Sequence, residues 1–360
     1  MEFNAFLSPG ERLIRSDDPA FQYTGRIDFD DPAAPVFVYP YSSVKMRFSG
    51  PSLKVLLNNR HAYWNNYLGF VIDGEQKKIQ ISEGTGVQCL TLAENLENRE
   101  HELFFFKRQD SCHEILLYGF VVEKNAKVFP PEKRTGRKME VFGDSVSAGE
   151  VSEAVEYVGK PDPEHNGEYS NSYYSYDAIA SRKLGAELHN ISQGGIALLS
   201  GTGWFRLPDT LGIEETWDKI EYNPDIGPSK PWDFSRYTPQ VVLVAIGQND
   251  NHPDDYMKED ESSDRSEKWR MHYEMFVRNI RRTYPSALIV LATTILEHDE
   301  GWDRSIERVK KRLNDPKVVH FLYSNNGRGT PGHIRIPEAE RMAEELCTFL
   351  ESFGERIWQR

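Results

Sequence analysis

The sequence predicts a two-part chain: an N-terminal β-sandwich of jelly-roll type, then an α/β domain built on a doubly wound parallel sheet. Three observations predict it. Short alternating or apolar runs follow one another with turn residues between them from about residue 10 to 125. From residue 138 on, apolar strand-like runs alternate with helical patterns. A basic, proline-containing stretch at 126–137 separates the two textures. Closely spaced short strands favour a sandwich, whereas strand–helix alternation favours a parallel sheet with helices on its faces. The expected division is therefore 1–125, a linker at 126–137, and 138–360.

In the first part the strand candidates are the runs starting at Val36, Val44, Leu53, Tyr67, Leu90, His101 and Ile115. Ser49-Gly-Pro and Asp73-Gly supply turns between them. In the second part they are Lys138 to Phe142, Glu187 to Ile191, Val241 to Ile246, Ala287 to Ala292 and Val318 to Leu322. The run at Val241 is apolar throughout, as a strand buried on both faces requires. Helices are expected at Ser172 to Leu184, Arg265 to Tyr284 and Pro337 to Phe353. In the second of these Trp269, Tyr273, Phe276, Val277 and Ile280 share one face. In the third, Met342, Leu346, Phe349 and Leu350 share one side, and Pro337 suits a helix start. The stretch from Ala197 to Pro239 is long for an α/β connection, a length usually associated with function.

Composition narrows the function. The chain has 360 residues, enough for two cores, and 39% of them are hydrophobic. A net charge of −13 argues against nucleic acid and anionic membranes as partners. No run of 18 apolar residues is present, so no membrane-spanning helix is expected. Cys89, Cys112 and Cys347 lack any Cys-x-x-Cys spacing, which suggests reduced thiols and neither a disulfide framework nor a metal site. The first ten residues carry no basic region and no long apolar core. Together with the thiols, this gives a cytoplasmic expectation, with no metal and no cofactor.

Three segments carry chemistry. Glu140-Val-Phe-Gly-Asp-Ser145-Val-Ser-Ala-Gly149 reads as strand, tight turn and helix start, a geometry that exposes a serine hydroxyl and its N–H. An ordinary helix cap gives the same pattern. Gly247-Gln-Asn249-Asp follows the apolar run at Val241, and ligands bind at the carboxyl ends of strands in open α/β sheets. The Asn249 amide could donate to an oxyanion there. Gly329-Thr330-Pro-Gly-His333 is a loop that presents His333.

Taken in order, these segments resemble the blocks of the SGNH hydrolases, also called GDSL-type esterases. Gly143-Asp-Ser145-Val-Ser matches the first block, and Gly247 to Asp250 the third. His189-Asn-Ile-Ser-Gln-Gly194-Gly195 matches the second, with Gly195 favoured by spacing and Gly194 the alternative. The last block, Asp-x-x-His, is matched only at His333, because Thr330 occupies the acid position. An N-terminal jelly roll ahead of such a domain resembles the family 2 carbohydrate esterases. The resemblance implies a serine esterase that removes O-acetyl groups from xylan-derived or related oligosaccharides through an acetyl-enzyme. Ser145 would be nucleophile and His333 base. The N–H groups of Ser145 and Gly195 and the Asn249 amide would form the oxyanion hole. Trp204 and Trp302, read as lying in loops near predicted strand ends, are candidate sugar contacts. His252 is a competing histidine for which a structural role is preferred.

The threonine at 330 leaves three arrangements for His333: a backbone carbonyl orients it, a carboxylate from elsewhere does, or the chain is a variant of reduced activity. Two other functions stay open beside deacetylation: a short-chain acyl esterase or thioesterase, and a carbohydrate-binding protein with a weakened active site. With a cytoplasmic placement, the expected substrates are short imported oligosaccharides.

Overall fold

The computed structural model describes residues 3–84 and 86–359. Contacts divide the chain into two units: Met1–Lys133 with Asn166–Glu168 and Ile220–Lys230, and the remainder from Arg134. Two short segments within the second part of the sequence thus belong to the first unit. Ile220–Lys230 falls inside the long connection flagged above.

The first unit is a β-sandwich of two six-stranded antiparallel sheets. One runs Ile27–Asp28, Val36–Phe37, His113–Glu123, Leu53–His61, Val87–Ala93, with Glu11–Arg15 paired to His113–Glu123. The other runs Val128–Phe129, Ser43–Ser49, Glu100–Lys107, Asn66–Ile72, Glu75–Ile81, with Gln22–Thr24 paired to Ser43–Ser49. Alternate residues such as Val44, Met46 and Phe48 point inward, as a strand period of two requires, and meet Phe37, Phe105, Ile115 and Phe120 in one core. Val128–Phe129 falls in the stretch read as a linker. It is a strand instead, pairing with Phe48 and Arg47, because two apolar residues can add to an open sheet edge even in basic, proline-rich surroundings.

The second unit is organised by a five-stranded parallel sheet: β1 (Lys138–Gly143), β2 (Glu187–Ser192), β3 (Val241–Ala245), β4 (Leu288–Ala292) and β5 (Val318–His320). The spatial order is β2-β1-β3-β4-β5, so the direction of strand succession reverses at β1. Ligands in such sheets bind beyond the carboxyl ends of strands at that switch point. Among its helices are α1 (Ser145–Ala148), α2 (Tyr176–Lys183), α3 (Asp264–Thr283), α4 (Glu300–Leu313) and α5 (Ile336–Glu351), with two further single turns at Ile213–Thr216 and Tyr256–Glu259. On α3 the buried face contains all five residues expected from the periodicity. Helix α5 buries Met342, Leu346 and Leu350, while Phe349 is only half-buried and stacks on Phe321. Helix α4 lies where the sequence reading placed only a loop. Its inward stripe is Trp302, Ile306 and Val309, and Asp299 caps it by accepting from the Gly301 N–H.

Candidate active site

The serine turn is built by side chains on both sides of it. Strand β1 ends at Gly143, where a Cβ would lie 2.4 Å from Ser147 Oγ, so only glycine lets the chain turn so tightly. Asp144 then caps α1, its Oδ1 accepting from the Val146 N–H at 3.0 Å. Ser145 follows, 4% exposed, at the start of α1. Asp144 Oδ2 accepts from Gln248 Nε2 at 2.7 Å and Asn249 Nδ2 at 3.2 Å. Burial pushes the Asp144 carboxyl up to about 6, against the Val146 N–H, the Gln248 amide and the charge of His333. His333 is tied to the serine turn through Glu150, whose N–H donates to Ser145 O at 3.0 Å and whose Oε2 lies 3.7 Å from His333 Nε2.

Asn249 joins a second block to the first. Its Nδ2 also donates to Ile196 O at 3.1 Å, so the amide bridges the serine turn and the glycine turn after β2. Both amide hydrogens therefore have acceptors in this structure. Gly195 has φ +70°, and a Cβ there would lie 2.8 Å from Trp204 Cβ. Its carbonyl accepts from the Trp204 and Phe205 N–H groups, and its own N–H has no acceptor among the described residues. Asp250 fixes the segment that follows: Oδ2 accepts from the Leu198 N–H at 2.9 Å and Oδ1 from Leu199 at 3.3 Å.

His333 sits on a loop stitched to the segment after β4. Gly327 N–H donates to Thr294 O, Gly329 N–H to Ile295 O and Glu297 N–H to Thr330 O. Thr294 Oγ1 donates to Gln248 Oε1 at 2.7 Å, which ties this region to Asp144. The imidazole is oriented by Asp162. Its Oδ2 lies 2.6 Å from His333 Nδ1, its Oδ1 accepts from the His333 N–H at 2.8 Å, and Arg335 Nη2 lies 2.8 Å from Oδ1. Burial opposes charge on Asp162, yet His333 and Arg335 outweigh it and hold the carboxyl at about 2. On the far side of the ring, Glu150 Oε2 lies 3.7 Å from His333 Nε2, and His165 stacks on His333 at 5.6 Å and 7°. Ser145 Oγ has no hydrogen-bond partner among the described residues, so the serine–imidazole contact is not made here. Such bonds often tighten only around substrate.

The remaining candidates separate. Trp204 is 53% exposed beside Gly195 and stacks on His252 at 3.5 Å. His252 Nδ1 is 2.9 Å from Gly203 O, so its role is to hold this turn and its platform. Trp302 is not a surface contact: it is fully buried on α4, edge-on to Tyr256 and Trp269, with Nε1 donating to Asp255 at 3.1 Å. Thr330 is buried and bridges to Leu296, its Oγ1 accepting from the Gly332 N–H. Of the three arrangements for His333, the structure shows the carboxylate supplied from elsewhere. Asp162, Glu150, His165 and Arg335 were all missed. Asp162 lies in Lys-Pro-Asp-Pro-Glu-His, whose only signal was an acid fixed between prolines in a loop after the serine block. Among the described residues no cluster of His, Cys, Asp and Glu could hold a metal ion, and no helix is long and apolar enough to cross a membrane.

Residues 23–131 match the family profile described as Carbohydrate esterase 2 N-terminal. Over 347 residues, 93% of this chain, it is 27% identical to cellulase/esterase CelE of Acetivibrio thermocellus, and spans only 40% of that protein's length. It is 26% identical over 352 residues to an acetylxylan esterase / glucomannan deacetylase of Cellvibrio japonicus, covering 94% of this chain and 90% of that one. A family two carbohydrate esterase from Clostridium thermocellum, solved in complex with cellohexaose, superposes with a TM-score of 0.76 at 26% identity, covering 94% of this chain and 99% of that one. The chain thus resembles the family 2 carbohydrate esterases along nearly its whole described length, and its second unit has the SGNH-hydrolase fold.

Proposed function

We propose that this chain is a serine esterase that removes acetyl groups from O-acetylated oligosaccharides, xylan-derived or glucomannan-type. The observation that carries this reading is the convergence of four separated segments. Asn249 ties the Ser145 turn to the glycine turn, and Glu150, bonded through its N–H to Ser145 O, lies 3.7 Å from Nε2 of the His333 that Asp162 holds.

The chemistry follows from these groups. His333, with Nδ1 held by Asp162, takes the Ser145 proton at Nε2 while Oγ bonds to the acetyl carbon. The carbonyl oxygen becomes an oxyanion held by the N–H groups of Ser145 and Gly195 and by Asn249 Nδ2, which gives up its 3.2 Å bond to Asp144. The C–O bond to the sugar breaks, and His333 returns its proton to the leaving sugar oxygen. Water then attacks the acetyl carbon as His333 takes its proton, the bond to Ser145 Oγ breaks, His333 returns the proton to Oγ, and acetate leaves. Trp204 offers an exposed ring to the apolar face of a sugar.

The test is acetate release from acetylated xylobiose and acetylated mannobiose by the wild type and Ser145→Ala. Wild-type release that the variant abolishes supports the reading, and near-normal release by the variant overturns it. A preference for longer acyl chains or thioesters over acetylated sugars would favour the short-chain acyl hydrolase instead. The weakened-site binder was suggested by Thr330, and Asp162 removes that reason.

A further inference from the structure

His333 is flanked by two carboxylates, one at each ring nitrogen. Asp162 holds Nδ1. Glu150 Oε2 lies 3.7 Å from Nε2 and 3.3 Å from His165 Nε2. Glu150 is 5% exposed, and its backbone N–H donates to Ser145 O at 3.0 Å, which fixes it relative to the nucleophile. A carboxylate this buried needs compensating partners, and two parallel imidazoles stand beside this one. With a proton on Nδ1 for Asp162, Nε2 presents its lone pair toward Glu150. That opposition favours a proton on Nε2, which is the state His333 passes through in each half-reaction. Other charged groups that act on the ring include Asp144, which interacts with it electrostatically, and Arg335, which acts through Asp162.

We propose that Glu150 and His165 are a positioning pair for His333: the carboxylate raises the proton affinity of Nε2, and the neighbouring imidazole tempers it by competing for the same oxygen. The proposal rests on the assignment of Ser145 and His333 made above.

The experiment is the pH profile of kcat/KM on acetylated xylobiose for the wild type, Glu150→Gln, Glu150→Asp and His165→Gln, with thermal unfolding alongside. Glu150→Gln should move the acid limb to lower pH by about one unit, the scale of losing one nearby opposite charge. Glu150→Asp should restore part of the shift, and His165→Gln should move the limb upward. A merely structural role would lower the rate at every pH and leave the limb in place, and that result overturns the proposal. If Glu150→Gln does not fold, Glu150→Asp and His165→Gln decide, and an unmoved limb in both overturns it equally. A limb moved by Glu150→Gln but not by His165→Gln removes His165 from the pair. Ser145→Ala separates the two levels: if it stays active, the serine assignment fails and the proposal with it. If it is inactive while the limb stays unmoved, only the present proposal fails.

Discussion

Asp162 and His333 stand 171 positions apart in the chain, yet Asp162 binds His333 twice, at the backbone N–H and at Nδ1. A single carboxylate thereby fixes both the loop and the ring that it presents. Arg335, fully buried two residues after the histidine, holds the same carboxylate from behind.

Asp162→Asn should lower kcat by about 10²- to 10⁴-fold with little change in KM, the upper value being that of the corresponding change in a serine protease. The amide favours the wrong imidazole tautomer and cannot stabilise the imidazolium. The folded carboxyl lies near 2, below an unfolded value of about 3.9, so its stabilisation is present above about pH 4 and is lost as pH falls through 2. Acid unfolding curves of wild type and variant should therefore converge over that interval. Unchanged kcat in a folded variant would overturn the role given to Asp162 and leave a backbone carbonyl to orient His333.

Asn249→Ala should lower kcat about 10²- to 10³-fold, a loss of about 2.7–4 kcal/mol of transition-state stabilisation. Because Asn249 also bridges Asp144 and Ile196, its melting temperature should fall too. Asn249→Asp keeps the shape but loses the donor, and should lose as much kcat.

Thr330→Asp would place an acid where the sequence motif wants one. The structure predicts no gain. Thr330 is buried, and Asp162 already occupies His333 Nδ1. A carboxylate buried without a paired charge should destabilise the fold by several kcal/mol, or about 1–3 kcal/mol if it is accommodated as the neutral acid. Thermal unfolding and kcat together check this, and a rise in kcat would contradict it.

The two tryptophans should respond oppositely. Trp302→Ala empties part of the core and should cost about 3–5 kcal/mol, seen in chemical denaturation. Trp204→Ala removes an exposed ring, should change stability by less than about 0.5–1 kcal/mol, and should raise KM for oligosaccharides several-fold. Equal KM values would remove Trp204 from sugar recognition.

His298 supplies an alkaline limit. Burial works against its charge, but the Asp303 carboxylate and Leu296 O outweigh burial and raise its pKa above the ordinary value. A raised value means stability fully present below about pH 6.5 and lost as pH rises through the folded pKa. The stability difference between wild type and His298→Gln should therefore shrink as pH rises above about 6.5. A difference that grows would reverse the sign of this assignment.

The parallel strands and the inward face of α3 were legible in the sequence because apolar periodicity is local. Helix α4 was not, since Asp299-Glu-Gly opens it and its buried face mixes Trp302, Ile306 and Val309 with polar Asp303 and Ser305. Reading that segment as a loop also misplaced Trp302. Within the site, Ser145, Gly195 and Asn249 lie at strand ends, where short motifs announce them. Asp162, Glu150 and His165 lie in irregular chain between β1 and α2, and only tertiary packing reveals which acid reaches which imidazole.

Because the acid arrives on a different loop from the histidine, neither local motif encodes the pair by itself. A classification that demands an acid three residues before the histidine would score this chain as defective. A designer who removed Asp162 would release the His333 N–H and the Arg335 guanidinium along with the imidazole, so the two loops must be altered together.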